Sequence, residues 1–394
     1  MYTLNDYLYF RGDLSFETSP VNEIDQMVFA SMGKANFSEV LGENETASYG
    51  DVFNAYFSLH GKDENASMGL LASPVMMKTL HRISQCPRYA GIKVSHFVNI
   101  ISEEHTEQLS ALTILGPDGK IYVTFRGTDD TLVGWKENCM LAVLYRVPAQ
   151  RDAAEYLDTI ARCFSGPLVL CGHSKGGNLA IYAGSKARPS VQKRIEKIIS
   201  YDGPGFMTEF LSQAGYQRMK DRIVTMVPDS SIVGMLMDTA GKTDVIACEK
   251  DGAAAHDLFA WALGPDAFVR AGGLSEKSRK FHKTINKTIE DMTTPERYEL
   301  VDELFQVLYS TGAVTLSDFT DHSLKQAVKM AGRFRKAKEI KQFLHLLARF
   351  TIQGSIVEPV KQKIEIHLPI DKKQVSTEGK KQPAAHEEKN DKKS

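Results

Sequence analysis

Residues 167–178 read Pro-Leu-Val-Leu-Cys-Gly-His-Ser-Lys-Gly-Gly-Asn, and this stretch decides the fold class. Pro167 to Cys171 is short and continuously apolar, as expected of a strand covered on both faces. Leu179 to Lys186 reads as a helix. Between them lies Gly172-His173-Ser174-Lys175-Gly176-Gly177, a G-x-S-x-G motif in the strand–turn–helix context that gives it meaning. So tight a turn brings the flanking positions against strand and helix, and glycine at 172 and 176 removes the collisions. The turn then lifts the Ser174 hydroxyl above the sheet edge, at a helix N-terminus where negative charge is favoured.

The pattern around this motif alternates. Lys93–Ile101 and Gln108–Leu115 read as strands, and Pro117-Asp118-Gly119 turns the second into Ile121–Phe125. Beyond Arg126 an amphipathic helix (Ala153–Phe164) precedes the Pro167–Cys171 strand. Strands Lys197–Tyr201, Arg222–Val227 and Asp244–Cys248 follow, with a helix predicted over Phe206–Ala214. Strands separated by helices imply a largely parallel sheet covered on both faces. Upstream, Asn22 caps a helix with Ile24, Met27, Val28 and Met32 on one side, and Ser73-Pro74 opens another. Past Phe281 the strand signal ends: Thr294-Pro295 starts a helix to Tyr309, and a long helix is predicted over 324–350. Residues 371–394 hold seven lysines, five acids, one valine and no aromatic side chain, a composition that predicts disorder. The expected architecture is an α/β-hydrolase fold with a largely parallel central sheet flanked by helices. Its expected divisions are a catalytic unit over 1–280, a helical extension over 281–352, and a linker with a disordered tail over 353–394.

Composition narrows the function classes. The 394 residues are 42% hydrophobic and 25% charged with a net charge of -1, which excludes a collagen-like or wholly disordered chain and gives no global pull towards nucleic acid. No apolar run reaches the roughly 18–20 residues of a membrane span, and Met1–Tyr9 lacks the features of a signal peptide. Five scattered cysteines form no CxxC pair, so neither a zinc ribbon nor a disulfide framework is expected. The expectation is a cytoplasmic protein with reduced thiols.

A serine hydroxyl attacks only when a base takes its proton and an acid orients that base. In this fold class the chain order is serine, acid, histidine. Asp229, after Pro228 at the carboxyl end of the Arg222–Val227 strand, is the preferred acid. Asp202, in Tyr201-Asp202-Gly203-Pro204-Gly205, is the alternative, its neighbours suggesting a turn. His256, in a small-residue loop beyond the last strand, is the expected base. The backbone N–H of Lys175 and the N–H or hydroxyl of Thr128, in Phe125-Arg126-Gly127-Thr128, are the expected oxyanion donors.

Phe125-Arg126-Gly127-Thr128, Gly134-Trp135 and Gly172-His173-Ser174-Lys175-Gly176-Gly177 together resemble the class 3 lipases, and within them a bacterial Mbeg-like group of α/β-hydrolases. Asp6-Tyr7-Leu8, Arg11-Gly12-Asp13, Tyr201-Asp202-Gly203-Pro204-Gly205-Phe206 and Ser231-Ile232-Val233-Gly234 fit that group as well. The resemblance spans roughly residues 1–275 and implies Ser174 as nucleophile, Asp229 as acid, His256 as base and Thr128 as oxyanion contributor. Class 3 lipases usually carry leucine after the nucleophile, where this chain has Lys175.

Two apolar segments are candidates for the acyl site: 139–145, with Met140 and Leu144, and 235–237, with Met235 and Met237. Lys175 either pairs with a nearby carboxylate or binds an anionic group beside the ester. Residues 324–350 carry eight basic side chains against one acid. That helix either docks on the catalytic unit or lies on an anionic membrane surface. The function expected is hydrolysis of carboxylic esters of lipid acyl type through an acyl-enzyme, with no metal or organic cofactor and no nucleic acid partner. Thioester or amide hydrolysis and acyl transfer use the same apparatus. The alternative from another class is a non-catalytic membrane- or partner-binding protein on this fold.

Overall fold

Among the residues described by the computed structural model (2–61, 68, 75–239, 241–319, 321–332, 334, 340 and 341), eight strands form one sheet in chain order. They are β1 (Thr46–Ser48), β2 (Lys93–Ser102), β3 (Glu107–Leu115), β4 (Ile121–Phe125), β5 (Leu168–His173), β6 (Ile195–Tyr201), β7 (Ile223–Pro228) and β8 (Lys242–Ile246). The pairs from β1 to β4 are antiparallel. The pairs from β4 to β8 are parallel. The change of direction follows from the connections. A tight turn through Gly119, whose φ is +76°, reverses the chain between β3 and β4. Crossovers carrying helices return it in the same direction from β4 to β7, and a connection with a single 3₁₀ turn (Val233–Met235) does so from β7 to β8.

The apolar run of β5 is explained by its two covered faces. Leu168 and Leu170 belong to one core and Val169 and Cys171 to another, an alternation set by the two-residue period of a strand. The first core holds α7 (Pro148–Cys163), α8 (Lys175–Lys186), α9 (Pro189–Gln192) and α11 (Ala214–Met219) against the sheet. The opposite face carries α1 (Leu4–Arg11), α2 (Glu23–Met32), α3 (Tyr49–His60), α4 (Met76–Gln85) and α5 (Pro87–Ala90). Asn22 caps α2 as expected, its side chain accepting from the backbone N–H groups of Ile24 and Asp25. The helix expected over Phe206–Ala214 is divided into α10 (Thr208–Leu211) and α11, with Ser212 and Gln213 between them. Ser73-Pro74 lies outside the described residues, and the described part of that helix begins at Met76.

A third core joins the C-terminal helices α13 (Thr294–Tyr309) and α14 (Asp321–Ala331) to the sheet unit, while α12 (Glu276–Glu290) is tied to it by Asn286, which bonds the N–H and carbonyl of Met237. It packs Val301, Leu304 and Phe305 of α13 against Leu132 and Met140 of α6 (Leu132–Met140). Ala331 and Ile340 are buried in this core, and Val328 and Phe334 pack partly against it. The described part of the basic 324–350 segment therefore turns apolar side chains onto protein. Residues 335–339 and 342–350, and the whole of 353–394, lie outside the described residues.

The N-terminal helices are pinned by one buried carboxylate. Asp25 Oδ1 accepts from Arg88 Nε (2.9 Å) and from the hydroxyls of Tyr89 (2.6 Å) and Tyr7 (3.2 Å). Its Oδ2 accepts from Arg88 Nη2 (2.6 Å) and the Asn22 N–H (2.9 Å). Both charged side chains are fully buried, so deleting one strands the other in low dielectric. Asp25→Ala is expected to lower stability by about 3–5 kcal/mol; a denaturant midpoint shifted by the equivalent of less than about 1 kcal/mol would contradict this account.

Candidate active site

The register of the parallel strands brings three chain segments level. Phe125 of β4 pairs with Gly172 of β5, which pairs with Ser200 of β6. Just beyond these positions lie the Arg126–Thr128 loop, Ser174 and Asp202. The turn at Ser174 is as tight as its glycines imply. A Cβ on Gly172 would overlap the backbone of Gly176, and one on Gly176 would overlap the carbonyl of Phe125. Ser174 itself sits at φ 58° and ψ -132°, a conformation that costs a non-glycine residue energy and is characteristic of a nucleophile elbow. Its Oγ makes no hydrogen bond within the described residues and faces a cavity of about 270 Å³ that His256 also lines.

His256 is held by Asp202, and this corrects the expected pairing with Asp229. His256 Nδ1 lies 2.7 Å from Asp202 Oδ2, and both side chains are buried. A carboxylate can only accept, so Nδ1 carries the proton and Nε2 is left as the basic nitrogen. Asp229 follows β7, one strand further from Ser174 than β6. Its backbone is used in pairing with Ile246 and Ser275, and no bond joins its carboxylate to His256. The turn-like surroundings of Asp202 are real: its φ is +49°. That turn is what swings a strand-end carboxylate under the histidine. The same turn chemistry that made Asp202 the less favoured of the two candidate acids in sequence is what brings its carboxylate to His256.

Residues that the sequence analysis left without a role complete the support. Asp202 Oδ1 accepts from Ser231 Oγ (2.5 Å) and the Gly234 N–H (3.1 Å), so the Ser231-Ile232-Val233-Gly234 motif clamps the carboxylate. His173 lies with its ring centre 4.5 Å from that of His256. Its Nε2 is 2.8 Å from the His256 carbonyl, which can only accept, so His173 donates there and its Nδ1 accepts from Lys34 Nζ at 3.2 Å. Burial, then the neighbouring Lys34 and His256, hold the His173 pKa well below the usual histidine range, consistent with this neutral tautomer. Burial also pulls Lys34 down to about 8, with Asp257 opposing and Arg126 adding to the effect.

Thr128 lines the same cavity as Ser174. A Cβ on Gly127 would come within 2.8 Å of the His173 carbonyl and 3.1 Å of Ser174 Cβ, so its loop packs directly on the elbow. The Thr128 hydroxyl is buried without a hydrogen-bond partner among the described residues. The Lys175 N–H opens α8 and belongs to the helix-terminal donors that lack an intrahelical acceptor.

The Lys175 side chain takes the first of its two expected roles. It is fully buried, with Nζ 2.9 Å from Glu137 Oε2 and 2.6 Å from the Gln108 carbonyl. It is sealed away from the cavity and does not bind an anionic substrate group. Glu137 also accepts from the N–H groups of Gln108 and Ala149, so the pair ties the start of α8 to β3 and α6. The expected acyl-site residues are likewise displaced. Met140 and Met237 are buried in the third core, Leu144 is 37% exposed, and Met235 uses its carbonyl to hold His282. None of the four lines the cavity. Its apolar wall comes instead from Tyr56, Met68, Met76, Met77, Trp135 and Leu258.

Residues 83–306, more than half of the chain, match the model of the Mbeg1-like family. The chain belongs to the Mbeg1-like family. No curated protein matches its sequence. Among solved structures it is similar to the M37 lipase, with 13% identity and a TM-score of 0.33 over 55% of this chain and 70% of that one. It is similar to a triacylglycerol lipase whose catalytic centre is described as a serine protease triad, with 12% identity and a TM-score of 0.34 over 57% and 79% of the two chains. The lipase of Rhizopus microsporus var. chinensis is 12% identical with a TM-score of 0.33, over 66% of this Mbeg1-like chain and 84% of its own. Among the described residues, no helix is long and apolar enough to cross a membrane.

The Lys175–Glu137 pair yields a stability prediction. Lys175→Met leaves Glu137 as an uncompensated buried charge and is expected to destabilise by about 3–5 kcal/mol, with Lys175→Met/Glu137→Met recovering much of that loss. Thermal melts of both variants check it. A single variant as stable as the parent, or a double variant worse than the single, contradicts the role assigned to the pair.

Proposed function

We propose that the protein is a serine hydrolase acting on carboxylic esters of lipid acyl type. One observation carries the reading: the buried 2.7 Å bond between Asp202 and His256 lies beside a cavity shared by His256 and the strained Ser174. Ser174 Oγ attacks the ester carbonyl while His256 Nε2 takes its proton. Asp202, holding Nδ1–H, orients the ring and stabilises the imidazolium that forms. Negative charge then grows on the carbonyl oxygen, where the Lys175 N–H and Thr128 donate; each such donor is typically worth about 10²- to 10³-fold in rate. His256 returns the proton to the departing alcohol oxygen, leaving an acyl ester on Ser174. The imidazole then activates water, which releases the carboxylic acid and restores the serine. The methionine-rich wall supports an aliphatic acyl chain, because methionine adapts its shape to irregular apolar partners.

A fluorophosphonate probe tests the serine directly. Labelling is expected in the native protein and lost in Ser174→Ala and His256→Ala. Asp202→Asn is expected to lower kcat on a short 4-nitrophenyl ester by about 10³- to 10⁴-fold, by analogy with triad acids elsewhere. Asp229→Asn is expected to stay within a few-fold of native. A folded native protein that takes no label overturns the hydrolase reading, and the reverse order of the two aspartate effects overturns the assignment of the acid.

A further inference from the structure

The cavity holds more hydrogen-bond donors than ester chemistry at Ser174 uses. Arg126 Nε, Trp135 Nε1 and the Thr128 hydroxyl are buried without partners among the described residues, and all three residues line it. Asn138 Oδ1 is the one acceptor there in the same condition. A buried donor without a partner is costly, so such a cluster in one cavity marks the place of an acceptor-rich ligand.

The charges on the cavity wall point the same way. Three carboxylates line it, and each already has a partner. Asp257 is 2.9 Å from Lys250. Asp129 bonds the hydroxyl and N–H of Thr131 and lies 3.6 Å from Arg126. Asp130 accepts from the N–H of Ser317. Lys34 is different. Its ammonium touches only the neutral ring of His173 and forms no ion pair among the described residues. It is half-buried; beyond contact range the charge of Asp257 on the same wall attracts it and that of Arg126 repels it. It also stands one ring away from His256, where a positive charge without a direct ion pair works against the imidazolium of the proposed mechanism. A negative group set against Lys34 removes both costs together.

We propose that the cavity accepts an ester bearing a second, anionic group, a carboxylate or a phosphate, and that Lys34 recognises that group. The inference deepens the serine-hydrolase reading and rests on it for the reacting ester. Lys175 cannot serve instead, since Glu137 and the Gln108 carbonyl occupy its ammonium. The anion binds beside the elbow, through Lys34 with Arg126 Nε and Trp135 Nε1 as further donors, while the acyl carbonyl meets Thr128 and the Lys175 N–H.

The test compares matched substrates. Mono-4-nitrophenyl glutarate is set against 4-nitrophenyl pentanoate for a carboxylate. 1-Hexanoylglycerol 3-phosphate is set against 1-hexanoylglycerol for a phosphate. The quantity read is the ratio of kcat/KM within each pair, which cancels general damage to the triad. Lys34→Met is expected to lower that ratio about tenfold or more in the pair whose anion fits, as for a charge-assisted hydrogen bond. Lys34→Arg, which keeps the charge, is expected to retain most of it. A ratio unchanged by Lys34→Met in both pairs overturns the proposal. Calorimetric titration of Ser174→Ala with glutarate and with inorganic phosphate supplies a readout independent of turnover. Binding of one of them, lost in Ser174→Ala/Lys34→Met, supports the site. No binding of either, or binding indifferent to Lys34, overturns it. If the fluorophosphonate probe fails to label native protein, the hydrolase reading falls, and this titration alone still decides whether Lys34 binds an anion.

Discussion

The parallel register of three neighbouring strands is the constraint on which the site depends. Hydrogen bonding between β4, β5 and β6 sets Phe125, Gly172 and Ser200 side by side, and each chain then leaves the sheet at the same edge. Ser174, at the end of the middle strand, thus receives the Arg126–Thr128 loop from one neighbour and the Asp202 carboxylate from the other. Only His256 must come from afar, and the chain brings it back over the edge. The elbow can hold its strained dihedrals because Gly172 and Gly176 let strand and helix close to backbone contact. Strain of this kind persists only where the surroundings over-determine it. Here the strand, helix, Arg126–Thr128 loop and Lys175–Glu137 tether all converge on one residue.

Much of this was legible in the residues. The strands β2 to β8 announce themselves through apolar runs and turns, and the G-x-S-x-G motif locates the elbow because steric need leaves so few residue types able to occupy it. His256 was also reachable, since chain order leaves few histidines to choose from. The acid was not. Asp202 and Asp229 both directly follow strands, and what separates them is which strand lies beside β5. That is a matter of sheet order, which no local pattern carries. The cavity wall was hidden for a related reason. Met68, Met76 and Met77 reach it from the N-terminal region, about a hundred residues before the serine, whereas the segments nearest the motifs in sequence were spent on a separate core.

The two lysines next to the motif show how little a residue type says without its surroundings. Lys175 follows the nucleophile directly, yet its charge is consumed in a structural pair that braces the elbow. Lys34 is distant in sequence and lies at the end of a helix of otherwise ordinary composition, yet its ammonium reaches the histidine preceding Ser174. Burial decides between them. One cation is sealed with an acid on a common wall, and the other is left facing the space where a ligand would lie.

The third core carries a consequence for how the molecule is divided. The helix α6 buries Leu132 and Met140 against α13, and the same helix presents Trp135 to the cavity. The chain after residue 280 therefore backs an element that borders the cavity, and it does not behave as a detachable appendage. Any shortened version of the protein that stops at the end of the sheet would expose α6 to water. It would lose the definition of its cavity along with its tail.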